Sequence, residues 1–511
     1  MARHELLDES DWKQRAVWTD DGYFRLETAD TGDVMVRLFV TKGLLAEAEP
    51  TLYRQIVNAT RFPGTRLVAI TPDVHYGYGV PVGCVILTDR REGSGGAVAM
   101  GPVGFDIGCG MMSARSNVPA ELATPDHKLA FNEEVTKRVS LGAGGKSVKL
   151  GKLSQKEFQE LVRGGAAHYV EKYGAEFDRS RAERHRIPVS DDWDIPWGGK
   201  GSPERGLDQL GSLGGGNHFI ELQRCEETKT LFMQVHTGSR GFGHGLATNY
   251  FEMARNEAAS SGRDVTDIDL GYFQPDSKHY GEYLNAVAAG GNFAILNRLV
   301  IFEQIKDAFR KVFKEDLELV YEISHNLVQA ETHPEFGDVW VHRKGATRAF
   351  PAGHPALADT IWKDTGHPVL IPGSNRDYSY ILRPEAGAVK SSYSVNHGAG
   401  RRMSRGEAMR QLDQRKVDEQ YRRDDILVNL DGRVPLDESS ACYKSAEEVV
   451  AAVVAAGLAR VEHTLWPLAS IKGNDERAAK NRHRERKGQD RSREKERAAE
   501  RDVARKTKGH F

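Results

Sequence analysis

Five short segments of the sequence place a histidine or a cysteine beside polar or glycine residues, directly after or before a strand-like apolar run. The segments are VGFDIGCGM, GGGNHFIEL, MQVHTGSRG, YEISHNL and SVNHGAGR, and they contain Asp106 with Cys109, His218, His236, His325 and His397. Glycine lets a backbone pass close to a bound ion or phosphate at the point where a strand gives way to a loop. One thiolate, one carboxylate and several imidazoles suit zinc, manganese or cobalt better than magnesium or calcium. We therefore predict a metal centre at these segments.

A single histidine is more often a core or surface residue than a metal ligand, so this prediction rests on the context that all five segments share. Cys109 stands out because Asp106 lies three residues before it and Gly108 and Gly110 flank it. The other cysteines lack such neighbours in the sequence and are predicted to be packed or surface thiols; they are Cys84, Cys225 and Cys442. Several histidines outside the segments are predicted to be inert, and these are His4, His127, His185, His463, His483 and His510.

Glycine-rich loops form a second theme, because their backbone N–H groups can cradle phosphate oxygens. The loops are SLGGGNH, PGSN and HGAGRR, and plain turns have the same composition. Arg401, Arg402 and Arg405 add positive charge next to the last loop. The GKS at 145–147 is not a P-loop, because that motif needs glycine at the position that Ser140 occupies.

The elements that must position these residues are a mixture of strands and helices. Strand-like runs include MVRLFV (35–40), TRLVAI (65–70) and LELVYEI (317–323), and a series of short strands is predicted over 338–400. Helices are predicted within 125–180 and over 277–313, and a long polar loop over 181–211. Three capping boxes predict helix starts; they are Ser154 with Glu157, Ser404 with Glu407, and Ser445 with Glu448. This pattern predicts a mixed α/β (α+β) fold.

Composition and charge narrow the class of protein. The 511 residues are 39% hydrophobic and 28% charged, which is typical of a globular chain and excludes disorder throughout. We found neither an apolar run long enough to predict a membrane span nor a signal-peptide pattern, and we predict reduced cysteines in the cytoplasm. The net charge of −2 is uneven, since 474–511 carry 14 Lys or Arg and 8 Asp or Glu. That segment is predicted to be an exposed helix or disordered, with RNA binding as the alternative.

The order and wording of the motifs resemble the RtcB family, GTP- and manganese-dependent RNA ligases that join 3′-phosphate or 2′,3′-cyclic phosphate ends to 5′-hydroxyl ends. The resemblance covers about residues 35–473, from PDVHYGYG and GFDIGCGM through SLGGGNHFIEL, VHTGSRGFGH, SHNLVQ and HRKGATRA to PGS, NHGAGRRMSR and the KG that ends at Gly473. It implies one catalytic domain over 1–473, with mixed sheets flanked by helices and a buried dinuclear metal site. Residues 474–511 then form a charged extension.

The resemblance also implies roles for individual residues. Asp106, Cys109 and His218 match the ligands of one manganese ion, and Cys109, His236 and His325 match those of the second. His397 matches the histidine that becomes guanylylated, and Asp73 and His75 match a motif near the active site. Positions that match guanylate contacts are Asn217, His218, Phe219, Ile220, Glu221, His325, Asn326, Pro372, Gly373, Ser374, Asn375, Ser379, Gly398, Ala399, Gly400, Tyr443 and Lys472.

The implied function is sealing of broken RNA through an RNA(3′)pp(5′)G intermediate, in tRNA splicing or RNA repair, with two Mn²⁺ ions, GTP and an archease-like activator as a candidate partner. Two alternatives stay open, namely a metal-dependent phosphohydrolase or cyclic phosphodiesterase and a non-catalytic RNA-binding protein. The chain departs from the family at Asn375 and Arg376, where methionine and glycine are usual. Arg376 is expected to bring a bulky charge near the guanylate pocket.

Overall fold

The computed structural model describes residues 6–182, 185–262 and 269–473. The predicted extension over 474–511 lies outside the described residues, and so do His4, His483 and His510. The predicted mixture of helices and strands is confirmed, with two large sheets and helices packed on them.

The described chain contains the following helices and strands. The helices are α1 (Trp12–Arg15), α2 (Lys42–Glu47), α3 (Leu52–Thr60), α4 (Pro125–Arg138), α5 (Gln155–Tyr173), α6 (Arg240–Ser260), α7 (His279–Phe313), α8 (Arg405–Gln411), α9 (Gln414–Arg423) and α10 (Ala446–Ala455). The strands are β1 (Ala16–Trp18), β2 (Phe24–Leu26), β3 (Met35–Leu38), β4 (Thr65–His75), β5 (Val82–Asp89), β6 (Val98–Ala99), β7 (Gly110–Pro119), β8 (Phe219–Cys225), β9 (Thr230–Thr237), β10 (Tyr272–Phe273), β11 (Glu318–Ser324), β12 (Asn326–His333), β13 (Gly337–Lys344), β14 (Ala346–Arg348), β15 (Val369–Ile371), β16 (Ser379–Pro384), β17 (Ser394–Asn396), β18 (Leu427–Val428) and β19 (Ala459–Lys472).

A seven-stranded sheet has the order β1-β2-β3-β4-β5-β13-β12. Only the β3–β4 pair is parallel. Residues of β4, such as Val68 and Ile70, pack on one face against α3, whereas Leu67 and Ala69 point to the other face. This alternation is the two-residue period of a strand, and both faces are apolar because both are covered.

An eight-stranded sheet has the path β11-β7-β9-β8-β19-β16-β15, and β18 joins it by pairing in parallel with β19. Val369, Ile371 and Leu382 of this sheet share an apolar cluster with Val339 and Val341 of the seven-stranded sheet. The two sheets are therefore held together by a common core.

The long helix α7 is a central element of the core. It packs against α4, α5 and α6 and against strands of the eight-stranded sheet. Among the described residues it is the one helix whose length and apolar composition would allow it to cross a membrane, but 89% of its most apolar window is buried inside the fold. Such burial is typical of a core helix.

The predicted helix starts are confirmed, because the Ser154, Ser404 and Ser445 hydroxyls each accept a hydrogen bond from the backbone N–H three residues later. The helix that starts after Ser404, α8, is short, and a second helix, α9, follows it directly. The chain is extended at Leu412, and Asp413 provides a new N-terminal cap. The predicted loop 181–211 contains one short 3₁₀ helix, Pro203–Asp208, in its described part.

Candidate active site

The ends of four neighbouring strands bring the predicted metal ligands together. The loop that contains Asp106 and Cys109 leads into β7, His218 immediately precedes β8, and His325 lies between β11 and β12. His236 is on β9, where it is paired with Met111 of β7 and with Phe219 of β8. The sheet places β11, β7, β9 and β8 next to one another. The ends of these strands therefore bring together residues that are far apart in the sequence.

The first group of ligand atoms comes from Asp106, Cys109 and His218. Nε2 of His218 lies 3.1 Å from Oδ2 of Asp106 and 3.7 Å from Sγ of Cys109. The other carboxylate oxygen of Asp106 accepts hydrogen bonds from the backbone N–H and the hydroxyl of Ser239. Although burial alone raises the pKa of Asp106, the adjacent His218 ring outweighs it and lowers that pKa, so the group is a carboxylate.

The second group comes from Cys109, His236 and His325. Nε2 of His236 lies 3.2 Å from Sγ of Cys109 and 3.4 Å from Nε2 of His325. Ligands bound tetrahedrally at about 2.0–2.3 Å from a divalent ion lie about 3.3–3.6 Å from one another. The separations in both groups are close to this range, and the Cys109 sulfur is common to the two. The residues thus fit two metal ions that share one thiolate.

The Nδ1 atoms of two ligand rings already have hydrogen-bond partners. Nδ1 of His218 faces the Leu213 carbonyl at 3.1 Å, and Nδ1 of His236 faces the Asn217 carbonyl at 3.1 Å. A carbonyl oxygen only accepts, so each Nδ1 carries the proton and each Nε2 presents a lone pair to the centre. Burial also lowers the pKa of His236 and of His325, which keeps both rings neutral.

The Cys109 thiol is the group that a cation would change most. Burial and then the nearby Asp106 carboxylate raise the pKa of the thiol well above its ordinary value. A thiol in such a place binds as a thiolate only when positive charge compensates it, and a coordinated metal ion supplies that charge. The donor set is therefore suited to a metal centre and unsuited to a free reactive thiolate.

Arg298, a fully buried residue of α7, donates hydrogen bonds to three of the strand ends that carry candidate ligands. The Arg298 guanidinium donates to the Gly108 carbonyl at 2.8 Å and to the Thr237 carbonyl at 2.9 Å, and also to the Ser324 hydroxyl at 2.8 Å. Each of these acceptors is the immediate neighbour of a candidate ligand in the sequence. The Glu322 carboxylate, which is also fully buried, forms an ion pair with the guanidinium. Arg298 is thus a positioning residue for Cys109, His236 and His325.

His397 lies beside the metal-ligand cluster. The centroid of its ring is 4.9 Å from that of His325, and Nδ1 of His397 is 2.6 Å from Oδ2 of Asp73. The same carboxylate oxygen accepts the backbone N–H groups of His397 and Gly398. Burial alone would raise the pKa of Asp73, but the His397 ring and these hydrogen bonds lower it. Asp73 therefore stays charged and fixes the orientation of His397.

Two glycines allow close packing of the backbone at His397 and Asp73. A Cβ atom on Gly345, whose φ is +59°, would lie 2.9 Å from the His397 ring. A Cβ atom on Gly400, whose φ is +78°, would lie 2.0 Å from the Asp73 carbonyl oxygen. Both positions also have backbone conformations that favour glycine.

Several positions predicted to contact guanylate form a connected pocket. Lys472 lies opposite Phe219 in the β19–β8 ladder, and its ammonium group is 5.3 Å from the centre of the Phe219 ring. Glu221 is on the same strand face as Phe219 and is buried, which raises the pKa of its carboxyl to about 7. On the other side, Arg401 contacts both the ring and the hydroxyl of Tyr443.

Glu438, which joins the two sides of this pocket, is not among the residues predicted from the sequence. Its buried carboxylate accepts the Tyr443 hydroxyl, pairs with Arg405 at 2.7 Å and lies 3.7 Å from the Lys472 ammonium group. Burial lowers the pKa of Lys472, and burial together with Glu438 raises the pKa of Tyr443. No motif surrounds Glu438 in the sequence, so no local signal marked it.

Asn375 also has a hydrogen-bond donor that a ligand could use. It is buried, and its Oδ1 accepts the Tyr421 hydroxyl at 2.5 Å. Its Nδ2 is buried without an acceptor in the described part of the chain. A buried donor without a partner is costly, so a bound group that accepts here would be favoured. Arg376, expected to bring a bulky charge near the pocket, pairs with Asp424 at 2.5 Å.

The remaining predicted contacts differ in what their side chains do. Ile220 belongs to the apolar core, so only its backbone is polar. The Asn326 amide donates to the Asp106 carbonyl and accepts the Gly345 N–H, and the Ser379 hydroxyl accepts the Gly373 N–H. Asn217 is exposed at the pocket loop. Pro372, Gly373 and Ser374 follow β15, and the loop of Gly398, Ala399 and Gly400 follows β17, with the Pro372 carbonyl 3.5 Å from the Cβ position of Gly398.

The fold and the site together define a class of protein, an α/β enzyme with paired metal-binding groups around one shared thiol and a histidine held beside them. Comparison with known proteins narrows this class. The family model for the tRNA-splicing ligase RtcB matches residues 55–473. The chain belongs to the RtcB family.

Named relatives match over most of both chains. The tRNA-splicing ligase RtcB of Pyrobaculum aerophilum is 34% identical over 469 residues, which cover 86% of this chain and 95% of that protein. The tRNA-splicing ligase RtcB of Thermococcus kodakarensis is 34% identical over 82% of this chain and 90% of its own. The RNA-splicing ligase RtcB homolog 1 of Entamoeba dispar is 33% identical over 83% and 82%, respectively.

Proposed function

We propose that this chain is a GTP-dependent RNA ligase that joins RNA 3′-phosphate or 2′,3′-cyclic phosphate ends to 5′-hydroxyl ends, in tRNA splicing or RNA repair. The observation that carries the proposal is the placement of His397 next to the metal-ligand cluster and in contact with Asp73. Membership of a family of RNA ligases supports RNA as the substrate. The composition supports a cytoplasmic location, and an archease-like protein is the candidate activator.

His397 is the proposed nucleophile. The negative charge of the Asp73 carboxylate, 2.6 Å from Nδ1, favours a proton on that nitrogen, and the lone pair of Nε2 is then available. Attack of Nε2 on the α-phosphorus of GTP forms an N–P bond and breaks the bond to the β-phosphate, which leaves as part of pyrophosphate. Gly345 lets the backbone pass close to the His397 ring, and Gly400 lets it pass close to the Asp73 carbonyl.

Two Mn²⁺ ions are the proposed metal cofactor, held by Asp106, Cys109 and His218 and by Cys109, His236 and His325. When bound, they supply positive charge that neutralises the triphosphate and polarises the reacting phosphorus. The described residues fit this role because all four imidazole and sulfur donors are buried and the outer nitrogens of two rings are fixed by carbonyls. The same donors also suit zinc or cobalt.

The pocket residues are proposed to bind the guanine nucleotide. Lys472 and Arg401 bring positive charge to it, Phe219 and Tyr443 offer ring faces, and the Asn375 amide offers a donor that needs an acceptor. Glu221, held protonated or charged according to pH, supplies a polar group beside Lys472. These contacts orient the nucleotide rather than make bonds.

The guanylate is then transferred to the RNA. An oxygen of the RNA 3′-phosphate attacks the phosphorus bound to His397, which releases the imidazole and forms an RNA(3′)pp(5′)G end. The 5′-hydroxyl oxygen of the second RNA attacks the original 3′-phosphorus, and GMP leaves as the 3′–5′ linkage forms. A 2′,3′-cyclic phosphate must first be hydrolysed to a 3′-phosphate.

Labelling with α-labelled GTP tests the proposal. With Mn²⁺ present, the wild-type chain should acquire the label covalently and should join an RNA pair with 3′-phosphate and 5′-hydroxyl ends. His397→Ala should lose both activities, whereas His127→Ala, a half-buried histidine packed on Phe313, should retain them. Phosphate release without covalent labelling would favour a phosphohydrolase instead, and RNA binding without either activity would favour a non-catalytic binder.

A further inference from the structure

A second cluster of metal-ligating side chains lies at the far end of β8. Sγ of Cys225 is 3.2 Å from Oε2 of Glu227 and 3.7 Å from Nδ1 of His463, and the latter two atoms are 3.8 Å apart. Cys225 and His463 are 238 residues apart, and neither is predicted from the sequence to have a functional role. From these contacts we propose that Cys225, Glu227 and His463 form a further metal site, for a divalent cation of the zinc class.

The site is separate from the dinuclear centre. His218 precedes the first residue of β8, whereas Cys225 is the last residue of that strand. A strand rises about 3.3 Å per residue, so the two ends of β8 are about 20 Å apart. The two sites have no ligand in common.

The strand register explains why these three side chains meet. Cys225 is paired with Leu465 of β19, and His463 lies two residues away on the same face of that strand. Glu227 is in the turn between β8 and β9, where its carboxylate accepts the Thr464 backbone N–H at 2.9 Å. The turn and β19 thus hold all three donors in place before any ion binds.

The donor set and its spacing fit zinc. Zinc is bound by sulfur at about 2.3 Å and by nitrogen or oxygen at about 2.0–2.2 Å, so its tetrahedral ligands lie about 3.3–3.6 Å apart. The three observed separations differ from this range by a few tenths of an ångström. Cys225 is fully buried, while His463 and Glu227 are partly exposed, so one side of the cluster is open to entering ions.

A cleft borders the cluster on the side of His463. The cleft has a volume of about 660 Å³, and Thr228, Thr230 and Phe232 line it together with His463. Three protein ligands with an open position are the arrangement of a zinc site that keeps a water or takes an exogenous ligand. Binding of the ion would link the β8–β9 turn to β19.

Cobalt spectroscopy on the purified full-length chain tests the proposal, with Co²⁺ alone as the probe. Cys109→Ala removes the thiolate of the dinuclear centre, so any sulfur-to-cobalt charge-transfer band in that variant must come from another cysteine. We expect the band to saturate at one equivalent of thiolate-bound cobalt. We expect its complete loss in Cys109→Ala/Cys225→Ser and its retention in Cys109→Ala/Cys84→Ala, the control for another buried thiol.

Zinc stoichiometry of the otherwise unaltered chain gives a second test that does not depend on Cys109→Ala folding. After incubation with Zn²⁺ and removal of free ions, Cys225→Ser and His463→Gln should each hold one equivalent less than wild type, while Cys84→Ala matches wild type. Equal zinc content in all four proteins, or a charge-transfer band that survives in Cys109→Ala/Cys225→Ser, would show that the cluster is only a thiol–carboxylate hydrogen bond. Cys225→Ser and His463→Gln are expected to label at His397 as wild type does, so the outcome is independent of the proposed ligase activity.

Discussion

Asp73 and His397 are 324 positions apart in the sequence, yet one carboxylate oxygen of Asp73 contacts both the ring Nδ1 of His397 and its backbone N–H. The other oxygen accepts the Thr71 hydroxyl at 2.6 Å. The carboxylate therefore contacts His397 at its ring and at its backbone, and is itself held by Thr71. With Nδ1 against Asp73, Nε2 is the ring nitrogen that remains available.

Asp73→Asn should slow guanylylation of His397 by about 10²–10⁴-fold, because an amide can place the proton on the wrong imidazole nitrogen. The measurement is the single-turnover rate of covalent labelling from α-labelled GTP at saturating Mn²⁺. Asp89→Asn, which alters a buried aspartate paired with Arg91, is the matched control and should label at the wild-type rate. Wild-type labelling by Asp73→Asn would contradict the orienting role.

Arg298→Lys should weaken Mn²⁺ binding by about 10–100-fold, as expected when a group that orients metal ligands is changed. Lysine keeps the charge but cannot reproduce the guanidinium geometry that reaches Gly108, Thr237 and Ser324 together. Equilibrium metal binding and thermal unfolding are the measurements. Arg310→Lys on the same helix, which alters an exposed ion pair with Asp316, should change neither, and unaltered Mn²⁺ affinity in Arg298→Lys would refute the prediction.

Glu438→Gln should raise the KM for GTP by about 10–100-fold, the effect of losing hydrogen bonds to charged groups. The variant loses the charge that holds Lys472, Tyr443 and Arg405 in one arrangement. Guanylylation at saturating GTP should fall much less, because His397 is untouched. Glu47→Gln serves as the control, because it breaks an exposed ion pair with Arg402, the neighbour of Arg401. An unchanged KM in Glu438→Gln would contradict the proposed role of Glu438 in the pocket.

Glu221→Gln should stabilise the protein relative to wild type more at pH 8 than at pH 5. Burial raises the pKa of Glu221 from 4.5 to about 7, so between these pH values the folded state binds more protons than the unfolded state. Wild-type stability therefore falls as pH rises through this window, and glutamine has no such dependence. Melting temperatures across pH measure the difference, with the exposed Glu133→Gln as control. A difference in melting temperature between Glu221→Gln and wild type that stays constant with pH would contradict the raised pKa of Glu221.

Removal of 474–511 should leave covalent labelling of His397 unchanged, because every candidate site residue precedes that segment. RNA binding should weaken, and the loss should shrink as salt is raised, since the segment carries 14 Lys or Arg and 8 Asp or Glu. Truncation after Gly473 followed by labelling and RNA titration at two salt concentrations is the measurement. Loss of labelling would show that the extension contributes to the active site.

The metal ligands could be predicted because glycine and histidine mark the strand ends locally. The positions of Arg298 and Glu438 could not, since each acts through partners that only the folded sheet order brings near. Cys225 and His463 could not be recognised as neighbours for the same reason, because their proximity depends on the β8–β19 register. Asn326 and Ile220 match motif positions, but their side chains have structural roles. The Asn326 amide binds a backbone carbonyl, and Ile220 packs in the core, neither of which the motif reveals.

β19 is the last strand of the described chain, yet it lies inside the eight-stranded sheet between β8 and β16. During synthesis from the N-terminus, β8 and β16 emerge first and keep exposed edges until residues 459–472 follow. Unpaired strand edges favour aggregation, so the nascent chain passes through a vulnerable interval in which neither the sheet nor the Lys472 pocket exists. Expression yield should accordingly depend on protection of the growing polypeptide, and nonsense truncations that remove residues 459–472 should be insoluble rather than partly active.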